Sequence, residues 1–325
     1  MPEVKPIGSA DPLSRRARAA LYFTLQELTG KYSPTAPWWA SIDHEAHTDL
    51  PLGQLASQIA GRLDLDSAGI IIRHQSIQKG LEALPDESIL ELGKPGYPKL
   101  LAQSGDGPQF LFVHDRARIL DLPALAIVGT RHPSDDGRRR ARKLAHLLVK
   151  RGIVVTSGLA VGIDEAAHLG ALELGGLTVA VLGTPLTHCY PAEHAALQKR
   201  IGALGALVSQ YRPGATIGRW SFPMRNAVMS GLSIGTVVIE ASETSGALIQ
   251  ARKSLAQGRP LFIPQSALEN PHLRWPRKYV ALGANVFSNI DDLMQVLEQK
   301  NLVPSETVHI ETDEVELVRV NAGRG

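Results

Sequence analysis

The sequence predicts an α/β fold in which a parallel sheet is built from strands that alternate with helices. The clearest stretch runs from residue 124 to 171 and reads strand, loop, helix, strand, loop, helix. Ala124–Val128 is an apolar run without alternation, as in a strand that is buried on both faces of a parallel sheet. The same alternation continues beyond residue 171, which is the second observation. The strands predicted after the first are Ile153–Thr156, Leu177–Leu182, Ala206–Ser209, Thr236–Glu240 and Pro260–Ile263.

The residues that precede the sheet predict a small helical domain. We assign residues 1–92 to this domain and its linker, residues 93–298 to the sheet domain, and residues 299–325 to a short C-terminal tail. Gly93–Leu120 is interpreted as a connector that contains the apolar run Phe110–Val113. Apolar residues recur at helical spacing in three segments of the first domain, namely Ser14–Leu28, Leu52–Leu63 and Ser67–Leu84.

Composition limits the possible functions. With 325 residues, 44% of them hydrophobic, the chain can build a substantial core, and a net charge of +2 requires any nucleic-acid surface to be local. A single cysteine, Cys189, excludes a disulfide framework, and we expect it to be a small core residue. The absence of a signal peptide and of a long apolar segment predicts a cytoplasmic protein with no membrane contact. His44-Glu45-Ala46-His47 lacks the spacing of a zinc motif, so we expect no metal site.

Three small-residue loops follow predicted strands. They are Gly129-Thr130-Arg131, Ser157-Gly158 and Ser245-Gly246. Loops at the carboxyl ends of parallel strands bind ligands in doubly wound sheets, and the free N–H groups of helix amino termini suit phosphate. The first loop has a single glycine, so it is not the dinucleotide fingerprint, and no stretch of the chain matches a P-loop. The loops therefore predict a phosphate-binding edge of the sheet.

Positive charge is concentrated beside the first two loops. Residues 126–160 carry eight lysines and arginines against Asp135 and Asp136, and several fall in the first turns of a helix, where the macrodipole disfavours cations. A polyanionic ligand would offset that cost, and the alternative is an ordinary solvated helix face. Asp135 or Asp136 is the predicted cap of this helix, and Asp164 is the predicted cap of the next one, with His168 buried. The eight cations are Arg131, Arg138, Arg139, Arg140, Arg142, Lys143, Lys150 and Arg151.

A second basic region lies between residues 198 and 239, where no acidic residue occurs. Trp220 and Phe222 are interleaved with its cations, an arrangement that suits single-stranded nucleic acid because cations contact phosphates and rings stack on bases. The alternative is that both rings belong to the core. Arg225 falls near the amino end of a helix predicted at Met224–Ser233, where we expect it to face phosphate. The cations of this region are Lys199, Arg200, Arg212, Arg219 and Arg225.

The order and spacing of these motifs resemble the DNA-processing protein A (DprA/Smf) family over residues 93–298. The resemblance implies an extended Rossmann-like domain that binds single-stranded DNA, forms a homodimer and hands the DNA to a RecA-type recombinase during transformation. It also implies that the protein uses no cofactor and catalyses no established reaction. The stretches that carry the resemblance include YPKLL at 97–101, IVGTR at 127–131, SGLAVGID at 157–164, FPMRN at 222–226 and SGALI at 245–249.

The loops and the resemblance together define a candidate DNA-binding site without catalytic residues. By the family's motifs, Arg131, Ser157-Gly158 and Arg225-Asn226 would line the DNA pocket. The secondary candidates are five further cations and one ring, namely Arg138, Arg139, Arg219, Trp220, Arg274 and Lys278. The primary candidates are Gly129, Thr130, Arg131, Ser157, Gly158, Arg225, Asn226, Ser245 and Gly246.

The chain departs from the family pattern in places. Ala227 stands where the family usually has arginine, and the segment at residues 269–280 replaces a small-residue motif. Arg274 and Lys278 of this segment either restore phosphate contacts or only pack. Trp275 is one possible anchor of a homodimer contact, and packing on its own domain is the alternative.

The alternative function is a nucleotide-binding or phosphoribohydrolase-type enzyme of a related Rossmann-like superfamily. Such chemistry needs a carboxylate near the ribose and an arginine on the phosphate. Glu240 and Glu243 are the candidate carboxylates and Arg225 is the candidate arginine, while Asp164 with His168 is a candidate acid/base pair. The glycine-rich signature of those enzymes and its glutamate are missing after the strand that ends at Glu240. This absence favours DNA binding.

Overall fold

The computed structural model describes residues 14–30, 39, 57–61, 65–114 and 116–303. In this part of the chain, a nine-stranded sheet is covered by helices on both faces. The strands are β1 (Ile89–Glu91), β2 (Phe110–His114), β3 (Ala124–Val128), β4 (Val154–Ser157), β5 (Thr178–Leu182), β6 (Ala206–Ser209), β7 (Gly235–Val238), β8 (Leu261–Pro264) and β9 (Asn285–Phe287). The helices are α1 (Arg15–Thr29), α2 (Ser67–Leu81), α3 (Lys99–Ala102), α4 (Asp135–Val149), α5 (Ile163–Glu173), α6 (Ala195–Leu204), α7 (Ser221–Gly231), α8 (Ala247–Ala256), α9 (Gln265–Leu268), α10 (Trp275–Ala281) and α11 (Ile290–Gln299).

The strand order is β1-β2-β6-β5-β4-β3-β7-β8-β9. The strands from β3 to β9 are parallel, whereas β2 is antiparallel to both β1 and β6. The sheet grows in opposite directions from the pair β3 and β7, which makes this pair its topological switch point. The predicted α/β class is confirmed, and the sheet is mixed at one end because β2 joins it.

The predicted connector at Gly93–Leu120 is wrong in its middle. Phe110–His114 is β2, and its first four residues are buried because both faces of the sheet are covered there: Phe110 and Phe112 belong to one core cluster, and Leu111 and Val113 belong to another. Since β1 already pairs with β2, the sheet begins at Ile89, before the boundary predicted at residue 93.

The N-terminal helices predicted by the apolar spacing are present, and they pack directly on the sheet. The apolar faces of α1 and α2 share one core cluster with Phe110 and Phe112 of β2 and with Leu182 and Leu207 of the neighbouring strands. Residues 57–61 are also helical, as expected for part of Leu52–Leu63. The remaining residues of Leu52–Leu63 lie outside the described residues. So do the motif His44 to His47 and the tail from residue 304.

The starts of α4 and α7 differ from their predictions. Ser134, rather than Asp135 or Asp136, caps α4, because its hydroxyl accepts the N–H of Gly137 at 3.0 Å. Helix α7 begins at Ser221, three residues before the predicted start. None of the described helices combines the length and the apolar character needed to cross a bilayer.

Candidate functional site

A cavity of about 650 Å³ opens at the carboxyl ends of the parallel strands, at the switch point between β3 and β7. The loops that follow β3, β5, β6 and β7 supply most of its lining, together with the first turns of α7 and α8. Ser157 and Gly158 lie outside the lining. The primary candidates that line the cavity are Gly129, Thr130, Arg131, Arg225, Asn226, Ser245 and Gly246.

The loop after β3 is held tightly between two other segments. The N–H of Thr130 donates to the carbonyl of Glu240 at 2.7 Å, and the N–H of Ile163 donates to the carbonyl of Thr130 at 3.3 Å. A Cβ on Gly129 would lie 2.8 Å from the Glu240 carbonyl oxygen and 2.5 Å from Cγ1 of Ile163, so only glycine permits this approach. The fixed loop leaves the side chain of Arg131 exposed at the cavity.

Arg225 lies beneath the cavity, three residues further into its helix than the sequence predicted. It is the fifth residue of α7 and is only 6% exposed. Its Nη1 donates to the carbonyl of Gly158 at 2.7 Å and to that of Val181. Desolvation by burial lowers the pKa of Arg225, and the nearby carboxylate of Asp164 opposes that effect. Arg225 therefore borders the cavity, and its guanidinium hydrogen-bonds to the backbone that forms the bottom of the cavity.

Asp164 is the buried partner of Arg225, and its predicted role as a helix cap is wrong. Gly162 occupies the N-cap of α5, so Asp164 falls inside the first turn, where its carboxylate accepts the N–H of Gly158 at 3.1 Å. Burial raises the pKa of Asp164, while Arg225 and the N–H groups of Gly158 and Ala160 act in the opposite direction. The negative charge in the floor is thus balanced by Arg225.

Ser157 and Gly158 support the cavity from behind. The hydroxyl of Ser157 is fully buried and donates to the carbonyl of Ile127 at 2.7 Å. A Cβ on Gly158 would lie 2.6 Å from Cζ of Arg225, so this glycine makes room for the guanidinium. Neither residue presents a group to a ligand in the cavity.

His168 is fully buried, as predicted, and its bonding explains its charge state. The hydroxyl of Thr178 donates to the carbonyl of Val155 at 2.8 Å, so Nδ1 of His168, 2.7 Å away, must donate to that hydroxyl. Burial, followed by the charges of Arg225 and His194, lowers the pKa of His168 to about 3. The imidazole is neutral at physiological pH and lies outside the cavity lining, so it cannot serve as the proposed acid/base partner of Asp164.

Aromatic rings stand on one side of the cavity. Tyr190 is half exposed, and its ring centroid lies 5.1 Å from that of Phe222, which also lines the cavity. Trp220 is half exposed and meets Tyr211 edge to face at 6.0 Å. The alternative that Trp220 and Phe222 both belong to the core is therefore wrong for Trp220. Sequence reasoning missed Tyr190, although its place after β5 puts it at the same edge of the sheet.

Exposed positive charge in the cavity comes from Arg131 and Arg219. Within the described residues, neither arginine forms an ion pair. Among the described residues that line the cavity, Asp164 is the acidic one, and the charge of Arg225 balances its negative charge. The open part of the cavity is consequently positive.

The cations of α4 fit the solvated-face alternative better. Arg139 pairs with Asp136 at 3.4 Å, and Arg138 approaches Glu165 at 3.9 Å. Arg138 and Arg139 border a separate groove of about 170 Å³ rather than the cavity. Arg274 and Lys278 are exposed at α10 and also lie outside the cavity lining.

Trp275 is buried, so of its two alternatives the structure favours packing on its own domain over a dimer anchor. Its indole N–H donates to the carbonyl of Ala241 at 2.8 Å, and its ring belongs to the core cluster that α10 forms on the sheet. Cys189 is half-buried rather than a core residue, and its thiol donates to the carbonyl of Pro191 at 3.2 Å.

The two candidate carboxylates of the hydrolase alternative have structural partners instead. Glu240 accepts the N–H and the hydroxyl of Ser134 at 3.0 and 2.7 Å. Glu243 accepts the N–H groups of Arg274 and Trp275 at 2.6 and 3.1 Å, at the start of α10. Neither carboxylate lines the cavity.

The fold and the cavity together define a doubly wound, Rossmann-like domain with a positively charged cavity at its switch point. The family model described as DNA recombination-mediator protein A matches residues 88–298. The chain therefore belongs to the DNA recombination-mediator protein A family, as the resemblance indicated.

Relatives of known sequence extend over much of the chain. The chain is 28% identical to DNA processing protein DprA of Bacillus subtilis (strain 168), over 89% of this chain and 99% of that protein. It is 38% identical to DNA processing protein DprA of Streptococcus pneumoniae over 194 residues, which are 59% of this chain and 67% of that one. With protein Smf of Escherichia coli (strain K12) it shares 36% identity over 66% of this chain and 58% of the relative.

Two solved structures are also similar. The X-ray structure of DprA from Streptococcus pneumoniae superimposes with a TM-score of 0.71 and 27% identity, covering 88% of this chain and 98% of that one. DprA from Helicobacter pylori, which was studied for its single-stranded DNA binding mode, superimposes with a TM-score of 0.57 and 27% identity over 65% of this chain and 96% of its own.

Proposed function

We propose that the cavity at the switch point binds single-stranded DNA. The observation that carries this proposal is the presence of two exposed, unpaired arginines and two aromatic rings around one cavity, within the described residues. Arg131 and Arg219 would contact phosphates, and Tyr190 and Phe222 would stack on bases. Membership of the family and the DNA-binding mode studied in the Helicobacter pylori relative support the same function.

The start of α8 adds a place for a phosphate group. Ser245 and Gly246 line the cavity at the amino end of this helix, whose dipole favours negative charge. The space beside Gly246 is open. A Cβ built on this glycine would have no atom within 4 Å other than those of its chain neighbours and of its own helix, so a phosphate can approach the Gly246 backbone closely.

Titration of a fluorescent oligo-dT followed by anisotropy tests this function. We expect tighter binding to the single strand than to a duplex, and a steep loss of affinity with salt because several phosphates are neutralised. Arg131→Ala and Arg219→Ala should each weaken binding to every base composition alike, since phosphate contacts carry no sequence information. Arg139→Ala is the matched control, because Arg139 is also exposed but pairs with Asp136 away from the cavity. Equal affinity for duplex DNA, or no effect of either cavity substitution, contradicts the proposal.

We further propose that the protein acts in DNA processing or uptake as a homodimer that delivers the strand to a RecA-type recombinase. Family membership supports this role. A dimer would place two cavities on one strand and raise avidity through effective concentration. We expect a dimer in sedimentation velocity, with oligonucleotide affinity rising once the strand reaches both cavities. A monomer at micromolar concentration, with affinity that stays flat beyond the length of one cavity, would argue against it.

A further inference from the structure

The loop between β6 and α7, residues 210–220, carries Arg219 into the cavity and holds Trp220 beside it. Its two ends are joined. The hydroxyl of Tyr211 donates to the carbonyl of Ser221 at 2.9 Å, and the hydroxyl of Ser221 donates to the carbonyl of Gly218 at 2.7 Å. The position of Arg219 therefore depends on how the first half of this loop is held.

The first half of the loop is held by the N-terminal helices. Arg212 is 7% exposed, and its Nη2 forms an ion pair with Glu27 of α1. The other carboxylate oxygen of Glu27 lies 3.3 Å from Nε of Arg73 in α2. A Cβ on Gly80 of α2 would lie 3.4 Å from the carbonyl oxygen of Pro213, so α2 also approaches the loop backbone.

Glu27 is the group on which this arrangement depends. A buried guanidinium needs a counter charge, and Glu27 supplies it to Arg212 from across the interface between the helices and the loop. Nη1 of Arg212 donates to the carbonyl of Pro213 at 2.8 Å, so the same side chain transmits the contact to the loop backbone. A neutral residue at position 27 would leave Arg212 buried without its counter charge and release the loop.

We propose that Glu27 is a positioning residue for DNA binding, which holds the loop at residues 210–220 through Arg212 and so orients Arg219. This inference rests on the proposed function of the cavity. It assigns the N-terminal helices a role in recognition, since they order the loop before the DNA arrives and reduce the entropy lost on binding.

Glu27→Gln tests the inference because electrostatics and positioning predict opposite signs. Removing a negative charge strengthens attraction to a polyanion, whereas releasing the loop weakens binding. We expect the affinity for oligo-dT to fall about 2- to 10-fold, the cost of ordering one or two flexible side chains on binding. Asp86→Asn is the matched control. It removes the same charge near the other end of α1, where Asp86 accepts the N–H of Arg16 at 2.9 Å, and it should not weaken binding.

Two further measurements separate positioning from a general loss of stability. In the Arg219→Ala background, Glu27→Gln should lose most of its effect on affinity, because the loop no longer carries the cavity cation. Without DNA, hydrogen–deuterium exchange at residues 213–220 should rise in Glu27→Gln and stay unchanged in Asp86→Asn.

Three outcomes would overturn the inference. The first is that Glu27→Gln binds oligo-dT as tightly as the unaltered protein or more tightly. The second is that Glu27→Gln lowers the affinity equally with Arg219 present and in the Arg219→Ala background. The third is that hydrogen–deuterium exchange at residues 213–220 is unchanged in Glu27→Gln. If the unaltered protein fails to bind oligo-dT, the proposed function fails with it. The exchange experiment still decides whether Glu27 orders the loop.

Discussion

Replacing the buried Arg225 with alanine should destabilise the fold far more than replacing an exposed arginine of the same cavity. The guanidinium donates to two backbone carbonyls and balances the buried carboxylate of Asp164. Removing one of two interacting buried charges costs up to about 3–5 kcal/mol, because the other charge is left uncompensated. Since a domain is stable by only about 5–15 kcal/mol, Arg225→Ala should lose a large share of the free energy of unfolding.

Urea unfolding followed by circular dichroism measures this cost. Asp164→Ala should be similarly destabilising, and the double substitution should cost about 0.5–3 kcal/mol less than the sum of the single ones, because the two buried charges interact electrostatically. Arg131→Ala is the matched control. Its side chain is exposed at the same cavity, so its stability should change by no more than about 0.5 kcal/mol.

One result would refute this reasoning. If Arg225→Ala unfolds at the same urea concentration as Arg131→Ala, yet loses as much affinity for DNA, then Arg225 acts as a phosphate ligand. Its contacts with Gly158 and Val181 would in that case contribute little to the fold.

Two other predictions concern protonation and chemistry. Burial lowers the pKa of His168 to about 3 from an ordinary 6.5, so the unfolded chain binds an extra proton between these values, and stability should fall as the pH falls through this window. Thermal unfolding against pH should show a shallower acid slope in His168→Gln; equal slopes would contradict the assignment. Nucleoside monophosphates should survive incubation with the protein, since Glu240 and Glu243 are bonded away from the cavity. Release of free base, abolished in Glu240→Gln, would establish a hydrolase instead.

The core of the sheet was predictable because burial on both faces leaves a direct trace in sequence. Ala124–Val128 has the predicted bounds, and Thr178–Leu182 differs from its prediction by a single residue. The same rule placed the loops after β3 and β7 at one edge of the sheet. Arg131 and Ser245 accordingly meet in one cavity.

The parts that were not predictable depend on contacts between distant residues. The buried position of Arg225 follows from the carbonyls of Gly158, just after β4, and of Val181 in β5, and no local pattern signals them. Trp275 resembled an exposed anchor because its neighbours in sequence are cations. Its burial follows from the carbonyl of Ala241, 34 residues away, which accepts its indole N–H.

The sharing of one core by the first helix and the middle strands has a consequence for synthesis on the ribosome. Helix α1 is made early, but the strand residue Leu207 in its cluster and its ion partner Arg212 come much later; Arg212 follows Glu27 by 185 residues. At about 5–20 residues per second, the apolar face of α1 waits roughly 10–40 s for its partners. During this interval the nascent chain exposes an amphipathic helix whose apolar residues, such as Leu21 and Leu25, are buried in the folded protein. Such an apolar surface is the kind that chaperones bind.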